Sequence, residues 1–307
     1  MQKQERSCLG ILFNYPRQGP EVSGCTCSLT KTVGVFAKRD SVEILKAAER
    51  ICQTIAHHGL SVLPDETLAK KGGMPNGTPL KSMHADLLVT VGGDGTVLRA
   101  AHEIGGRETP ILAINMGRRG YLTEVQPNDF DNALTRWMKD DYTLERQWKV
   151  LVKEKDKVLA EGLNEIVLGP ITPGKMLSLT VKYDQRRLIV ARADGLIVAT
   201  PTGSTAHAFS AGGPVLESSL EALALVLIAP LQPVRSLAVP ANGRLQVQIG
   251  GTSPGANIVA DGRLETSVDS GRSLEFSKSP HGTVFVRFGE TFLQHSLKRL
   301  AYERGLA

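Results

Sequence analysis

The stretch Gly92-Gly93-Asp94-Gly95-Thr96 sets one carboxylate in a glycine loop, between an apolar run and an amphipathic one. Asp86–Val91 reads as a short buried strand and Thr96–Ile104 as the helix that follows it. Glycines at 92, 93 and 95 let the backbone turn tightly and approach a ligand closely. A helix start offers unpaired N–H donors and the positive end of a dipole, so it favours phosphate. A carboxylate repels phosphate, and it makes sense there if it holds a metal ion or takes a proton from an acceptor hydroxyl. The combination points to phosphoryl transfer; a plain strand-to-helix turn is the competing reading. The loop is not a Walker loop, because GxxxxGK followed by Ser or Thr occurs nowhere. Nor is it a dinucleotide fingerprint, because Leu98 stands where the third glycine would fall.

A second dense segment is Arg192–Pro214, RADGLIVATPTGSTAHAFSAGGP. Asp194 and Gly195 lead into a strand, and Thr200, Thr202, Gly203, Ser204 and Thr205 follow. Small hydroxyl side chains around a glycine bring many donors to a ligand at little steric cost. A third piece is Asn164–Glu165, two polar residues inside an otherwise apolar strand. Burying them is costly unless a ligand or a neighbouring loop satisfies them. Two glycine–aspartate loops, one in each half, favour an active site between the halves. No order of Ser, His and Asp fits a hydrolase, and Gly203-Ser204 lacks the GxSxG surroundings.

The elements that must position these loops follow from periodicity. Thr32–Ala37 reads as a strand, and the next helix opens with Asp40 and Glu43 as a capping pair. Val42, Leu45, Ile51 and Ile55 give that helix an apolar face, and Gly59 ends it. Leu60–Leu63 is a second strand, the polar stretch through Pro79 a loop, and Pro110–Asn115 a further strand. Such alternation predicts a parallel sheet covered by helices, with ligands at the carboxyl ends of strands. Gly92–Gly95 and Asn115–Gly120 both fall there. After about Trp148 the pattern becomes β-rich. Strands are predicted at Lys149–Glu154, Leu163–Leu168, Leu177–Tyr183, Leu188–Ala191, Leu196–Thr200, Leu223–Ala229, Leu245–Ile249 and Asn257–Ala260. Glu290–Arg304 is amphipathic, with Phe292, Leu293, Leu297 and Leu300 on one side. The expected organisation is a flexible leader (1–30), an α/β domain (31–145), a β-rich domain (146–285) and a C-terminal helix (286–307) returning to the first domain.

At 307 residues the chain can build two modest cores. A net charge of +5 suits anionic small molecules, but without basic runs or many aromatics it excludes a nucleic-acid reader. The opening segment has no long apolar core, so neither a membrane span nor a secretory signal is expected. Cys8, Cys25, Cys27 and Cys52 match no zinc spacing and read as free thiols in a reducing cytoplasm.

Taken together, GGDGT at Gly92–Thr96, Asn164–Glu165 and DGLIVATPTGSTAHAFSAGGP at Asp194–Pro214 resemble the ATP-NAD kinase family. Gly120-Tyr121-Leu122-Thr123-Glu124 and Asp261-Gly262 support the match, which spans roughly residues 32–300. GGDGT alone is shared with lipid kinases and phosphofructokinases; the long second motif is far more specific. The resemblance implies phosphorylation of the 2′-hydroxyl of the adenosine ribose of NAD to NADP. ATP would be the donor, and a divalent metal ion (Mg or Mn) would assist. It makes Asp94 the general base with Gly95 beside it, and lets Arg99 meet a phosphate. Asn164 and Glu165 would hold the adenosine ribose and adenine region. Thr202 and the run Thr205, Ala206, His207, Ala208, Phe209 and Ser210 would bind nucleotide, the run lining the adenine pocket. Asp194 would meet the nicotinamide end, Ala229 would line that pocket, and Lys175 and Arg192 would supply ligand-contacting charge. A cytoplasmic homodimer or homotetramer is the family habit.

The chain departs from the family pattern at His207 (usually Tyr), at Arg263 (usually Gln) and at Gln232-Pro233-Val234-Arg235 (often Pro-His). Arg192 resembles the residue of NAD-preferring members. Two other readings stand beside the leading one: a lipid or other small-molecule kinase sharing the loop, and a non-catalytic NAD(P)-binding sensor. The full match over 194–214 disfavours the first. A retained Asp94 disfavours the second, since a sensor has no use for a base.

Overall fold

The computed structural model describes residues 30–37, 41–72, 74, 76–117, 120–289, 294 and 296–298. The first half alternates β1 (Thr32–Ala37), α1 (Val42–His57), β2 (Ser61–Pro64), α2 (Glu66–Lys71), β3 (Leu87–Gly92), α3 (Asp94–Glu103), β4 (Ile111–Asn115) and α4 (Phe130–Met138). Its strands pair in parallel in the order β2-β1-β3-β4. Both faces of this sheet are buried, which is why its strands read as continuous apolar runs. Ile44, Ile51 and Ile55 of α1 share one core with Phe130, Leu134 and Trp137 of α4. Val97, Ala100 and Ala101 of α3 belong to another.

From Thr143 onward strands dominate: β5 (Thr143–Glu154), β6 (Lys157–Gly162), β7 (Glu165–Pro170), β8 (Leu177–Tyr183), β9 (Arg186–Ala193) and β10 (Gly195–Ala199). After the short helix α5 (His207–Ser210) come β11 (Ala222–Ile228), β12 (Leu237–Pro240), β13 (Leu245–Ile249), β14 (Ala256–Ala260), β15 (Arg263–Val268) and β16 (Ser273–Arg287). One antiparallel sheet runs β12-β11-β10-β7-β14-β15. The remaining strands extend the parallel sheet through β16, which meets β4 in parallel at Phe285 and Ile111 and pairs antiparallel with β13 and β5. A large core from Val150 to Phe276 fills this half.

The expected α/β and β-rich halves are both present, and they share strands. β5 and β16, with 12 and 15 residues, pair with each other along their lengths. The expected domain limits at 145–146 and 285–286 fall inside them. A change in hydrophobic pattern marks where strands begin to crowd, but it cannot show one strand serving two halves.

Local corrections follow the same logic. The cap of α1 is Ser41, whose Oγ accepts from the Ile44 N–H at 3.4 Å. Asp40, the expected cap, lies outside the described residues. Val42 is 68% exposed, and Ile44 and Ala48 occupy the buried face instead. The expected loop before Pro79 contains α2, capped by Asp65, whose Oδ1 accepts from the Thr67 N–H. Helix α4 and strands β6, β12, β15 and β16 were not expected. β15 is mostly exposed, so it carries no apolar stripe to read. Val286 and Arg287 end β16 rather than starting a helix. Residues 1–29 of the leader, and residues 290–307 except 294 and 296–298, which are helical, lie outside the described residues. Among the described residues, no helix is long and apolar enough to cross a membrane.

Candidate active site

Helix α3 begins at Asp94, two residues before the expected start, directly after the carboxyl end of β3. An acidic side chain in the first turn suits the helix dipole, so Asp94 has a structural use besides any chemical one. Gly92 is needed for space, because a Cβ there would run into Thr96. The position of the Asp94 carboxylate is set from outside the helix. Tyr121 N–H donates to its Oδ2 at 3.0 Å and Leu122 N–H to its Oδ1 at 2.9 Å. The chain presents these two amides after a tight turn at Gly120, where φ is +69 and an added Cβ would meet the Asn115 amide group at 2.7 Å. At the end of β4, Asn115 Oδ1 accepts from Gly117 N–H at 2.9 Å.

Asp94 lines a cavity of about 240 Å³ together with Tyr121, Leu122, Asn164, Thr202, Thr205 and Ala206. All three sequence segments with chemical promise therefore contribute to one concave site. Tyr121 and Leu122 were not expected as site residues. The Gly120–Glu124 motif is the sequence signal that contains them.

Opposite Asp94, Asn164 and Glu165 are held by a buried carboxylate. Asp261, in the turn between β14 and β15, accepts from Leu163 N–H at 2.7 Å, Asn164 N–H at 2.8 Å and Glu165 N–H at 3.2 Å. Burial pushes the Asp261 carboxyl up, while these three amides oppose the shift. Glu165 is the first residue of β7 and does not line the cavity. Burial, with the Asp261 charge adding to it, pushes its carboxyl up to about 8. Asn164 Oδ1 and Glu165 Oε2 are buried without a hydrogen-bond partner. A buried polar atom without a partner costs free energy that a ligand can recover.

The hydroxyl run behaves differently from expectation. Thr200 Oγ1 donates to Leu163 O at 2.6 Å, and Thr202 Oγ1 to Gln147 Oε1 at 2.9 Å. Ser204 Oγ donates to Pro201 O at 2.6 Å, and Thr205 Oγ1 to Thr202 O at 3.2 Å. These hydroxyls build the loop rather than offering free donors, because a turn tucked against β7 must satisfy its own backbone. Gly203 is packed so closely that an added Cβ would collide with the Asn164 backbone.

Other expected site residues lie off this cavity. Arg99 donates from Nε to Glu103 Oε1 at 2.7 Å, one helical turn on, and its guanidinium sits 5.7 Å from the Phe36 ring. Ala208 is fully buried in a core with Ile197, Leu216 and Val226. His207, Ser210 and Lys175 are exposed, and Phe209 is half-buried. Arg192 lines a separate cavity of about 280 Å³ with Gln232 and Leu231. Leu231 N–H donates to Arg192 O, and Asp194 N–H to Ile228 O, so the backbone brings Arg192, Asp194 and Ala229 near one another, and of the three Arg192 lines that cavity. Among the described residues, no group of three His, Cys, Asp or Glu side chains could hold a metal ion.

Family models match both halves. Residues 33–142 match the ATP-NAD kinase N-terminal domain and residues 163–288 the ATP-NAD kinase C-terminal domain. The chain belongs to the ATP-NAD kinase family. Among its relatives, the NAD kinase of Methanothermobacter thermautotrophicus is 34% identical, covering 87% of this chain and 95% of that one. The NAD kinase of Thermococcus sibiricus is 36% identical, covering 84% and 94%. Among solved structures, an NAD kinase from Archaeoglobus fulgidus in complex with ATP superposes with a TM-score of 0.70 at 31% identity, covering 88% and 98%. Yeast NADH kinase complexed with NADH reaches 0.80 at 22% identity, covering 89% and 88%, a likeness of fold. As a member of this family the chain is an NAD kinase. The cavity takes Asp94, Tyr121 and Leu122 from the N-terminal family domain and Asn164, Thr202, Thr205 and Ala206 from the C-terminal one.

Proposed function

We propose that the Asp94 cavity is where the γ-phosphoryl group of ATP passes to the 2′-hydroxyl of the adenosine ribose of NAD, giving NADP. The observation that carries this reading is the placement of the Asp94 carboxylate. Two backbone amides fix it in the cavity that Asn164 and the Thr202–Ala206 loop also line. A ribose hydroxyl is a poor nucleophile near neutral pH, and a carboxylate within hydrogen-bond reach removes its proton as transfer proceeds. Phosphoryl transfer otherwise depends on positioning and on stabilising phosphate charge. ATP in the solved Archaeoglobus complex supports ATP as the donor.

The ribose and adenine are assigned to Asn164, whose buried Oδ1 lacks a partner, and to the walls formed by Thr202, Thr205 and Ala206. Glu165, with its carboxyl at about 8, holds its proton at neutral pH and can donate to a ligand acceptor. Arg192, Asp194 and Ala229 are assigned to the nicotinamide end, with Arg192 favouring NAD over NADH. A divalent metal fits as an ion carried by the ATP phosphates, since Mg²⁺ commonly keeps water ligands and binds substrate phosphate oxygens. The ATP phosphate oxygens and water would hold the ion, leaving Asp94 to act as the base, and the ion would neutralise charge on the transferring group. The enzyme is assigned to the cytoplasm, where a free buried Cys52 is at home, and to a homodimer or homotetramer.

The test is NADP formation from NAD, ATP and Mg²⁺ by the wild-type chain and by Asp94→Asn. Turnover should fall about 10²–10⁴-fold in the variant with NAD binding retained. Wild-type turnover in Asp94→Asn removes the base assignment. Tight NADP binding without any turnover in the wild type points to the sensor reading.

A further inference from the structure

The loop that holds Asp94 is itself held by a residue 165 positions away. Arg287, at the end of β16, is 5% exposed in its side chain. Its Nη1 donates to Glu124 Oε2 at 3.2 Å and to Leu122 O at 3.4 Å. Its Nε donates to Glu145 Oε2 at 2.8 Å, and its guanidinium lies 4.9 Å from the Phe285 ring. Glu124 Oε1 in turn accepts from Phe288 N–H at 2.8 Å. Glu124 N–H is tied to Ala113 O of β4 at 3.0 Å. Residue 122 is therefore gripped at its carbonyl by Arg287 while its N–H holds Asp94.

We infer that Arg287 and Glu124 are positioning residues that fix the Asp94 carboxylate by bracing residues 121–124. The inference rests on the reading of Asp94 as the base. A planar guanidinium presents several donors in a fixed fork, so it can bind two carboxylates and a carbonyl at once. No ligand needs to touch either residue. Small displacements of a reacting group cost large factors in rate, so a brace acting only through Asp94 should change turnover and leave NAD affinity alone.

Three variants test this: Arg287→Met, Glu124→Gln, and Arg287→Met combined with Asp94→Asn. Arg287→Met should lower kcat about 10- to 100-fold while the Kd for NAD, read by calorimetry, stays within about threefold. Glu124→Gln keeps an acceptor for Phe288 N–H and leaves Arg287 paired with Glu145, so a smaller loss of the same kind is expected. This variant carries the test if Arg287→Met does not fold. In the Asp94→Asn background, adding Arg287→Met should cost no further kcat, because the group being positioned is already gone. Losses that multiply in the combined variant, a fall in NAD affinity matching the fall in kcat, or unchanged kcat in Glu124→Gln and Arg287→Met overturn the inference. Wild-type turnover in Asp94→Asn alone instead overturns the base reading, so the two failures are distinct.

Discussion

The proton on Glu165 makes folding stability depend on pH in a way that can be calculated and removed. Its carboxyl moves from 4.5 to about 8 on folding, chiefly because burial penalises the charged form. In the window between those two values the folded chain holds a proton that the unfolded chain has lost. Stability contributed through this group therefore falls as pH rises across the window and levels off above it. At about 1.4 kcal/mol per pH unit, the loss between about pH 6 and about pH 9 is on the order of 2–3 kcal/mol. Glu165→Gln keeps the shape and the neutral polarity but cannot ionise. Urea unfolding of both proteins at the two pH values, followed by fluorescence and circular dichroism, measures the difference directly. The variant should gain on the wild type by on the order of 2–3 kcal/mol between the lower and the higher pH, titrating groups remote from Glu165 cancelling in the comparison. Parallel stability profiles for the two proteins refute the reasoning, because they would mean Glu165 is not held in its neutral form. A site residue whose removal stabilises the protein is expected where buried polar atoms await a ligand.

Two further outcomes follow from the same structure. Gly203→Ala places a methyl group against the Asn164 backbone, and overpacking of this kind costs about 1–3 kcal/mol. Thermal denaturation should show the loss, and NAD affinity should fall with it because Asn164 must move; unchanged values for both refute the close packing. Cys52 is buried and its thiol is pushed up to about 12. At about pH 8 it should alkylate in the native state roughly 10³-fold more slowly than a free cysteine, read by peptide mapping after iodoacetamide treatment. Labelling of Cys52 at the rate of an unfolded control counts against its burial.

The sequence by itself determined the elements that carry the chemistry. Gly92–Gly95 after an apolar run, Asn164–Glu165 and the 194–214 segment identified the family, because local composition dictates where a strand ends and a helix begins. The parallel sheet was legible for the same reason: strands buried on both faces are apolar throughout. Roles that depend on which surface meets which were not legible. Arg99 carries the charge to meet a phosphate, yet Glu103 holds it one turn away on the same helix. The hydroxyls of Thr200, Thr202, Ser204 and Thr205 read as donors for a ligand, but Thr200 and Thr202 donate to Leu163 O and Gln147 Oε1, and Ser204 and Thr205 to carbonyls of their own loop. Ala208 belonged to the nucleotide run and is core. Conversely, the carboxylate of Asp261 that holds Leu163, Asn164 and Glu165, and the guanidinium of Arg287 that holds residue 122, come from a turn and a strand far along the chain. A hydrogen bond between residues 96 to 165 positions apart leaves no periodicity to read. Local sequence chose the reacting group; pairing β16 with β4 and β5, and β14 with β7, decided where it is held.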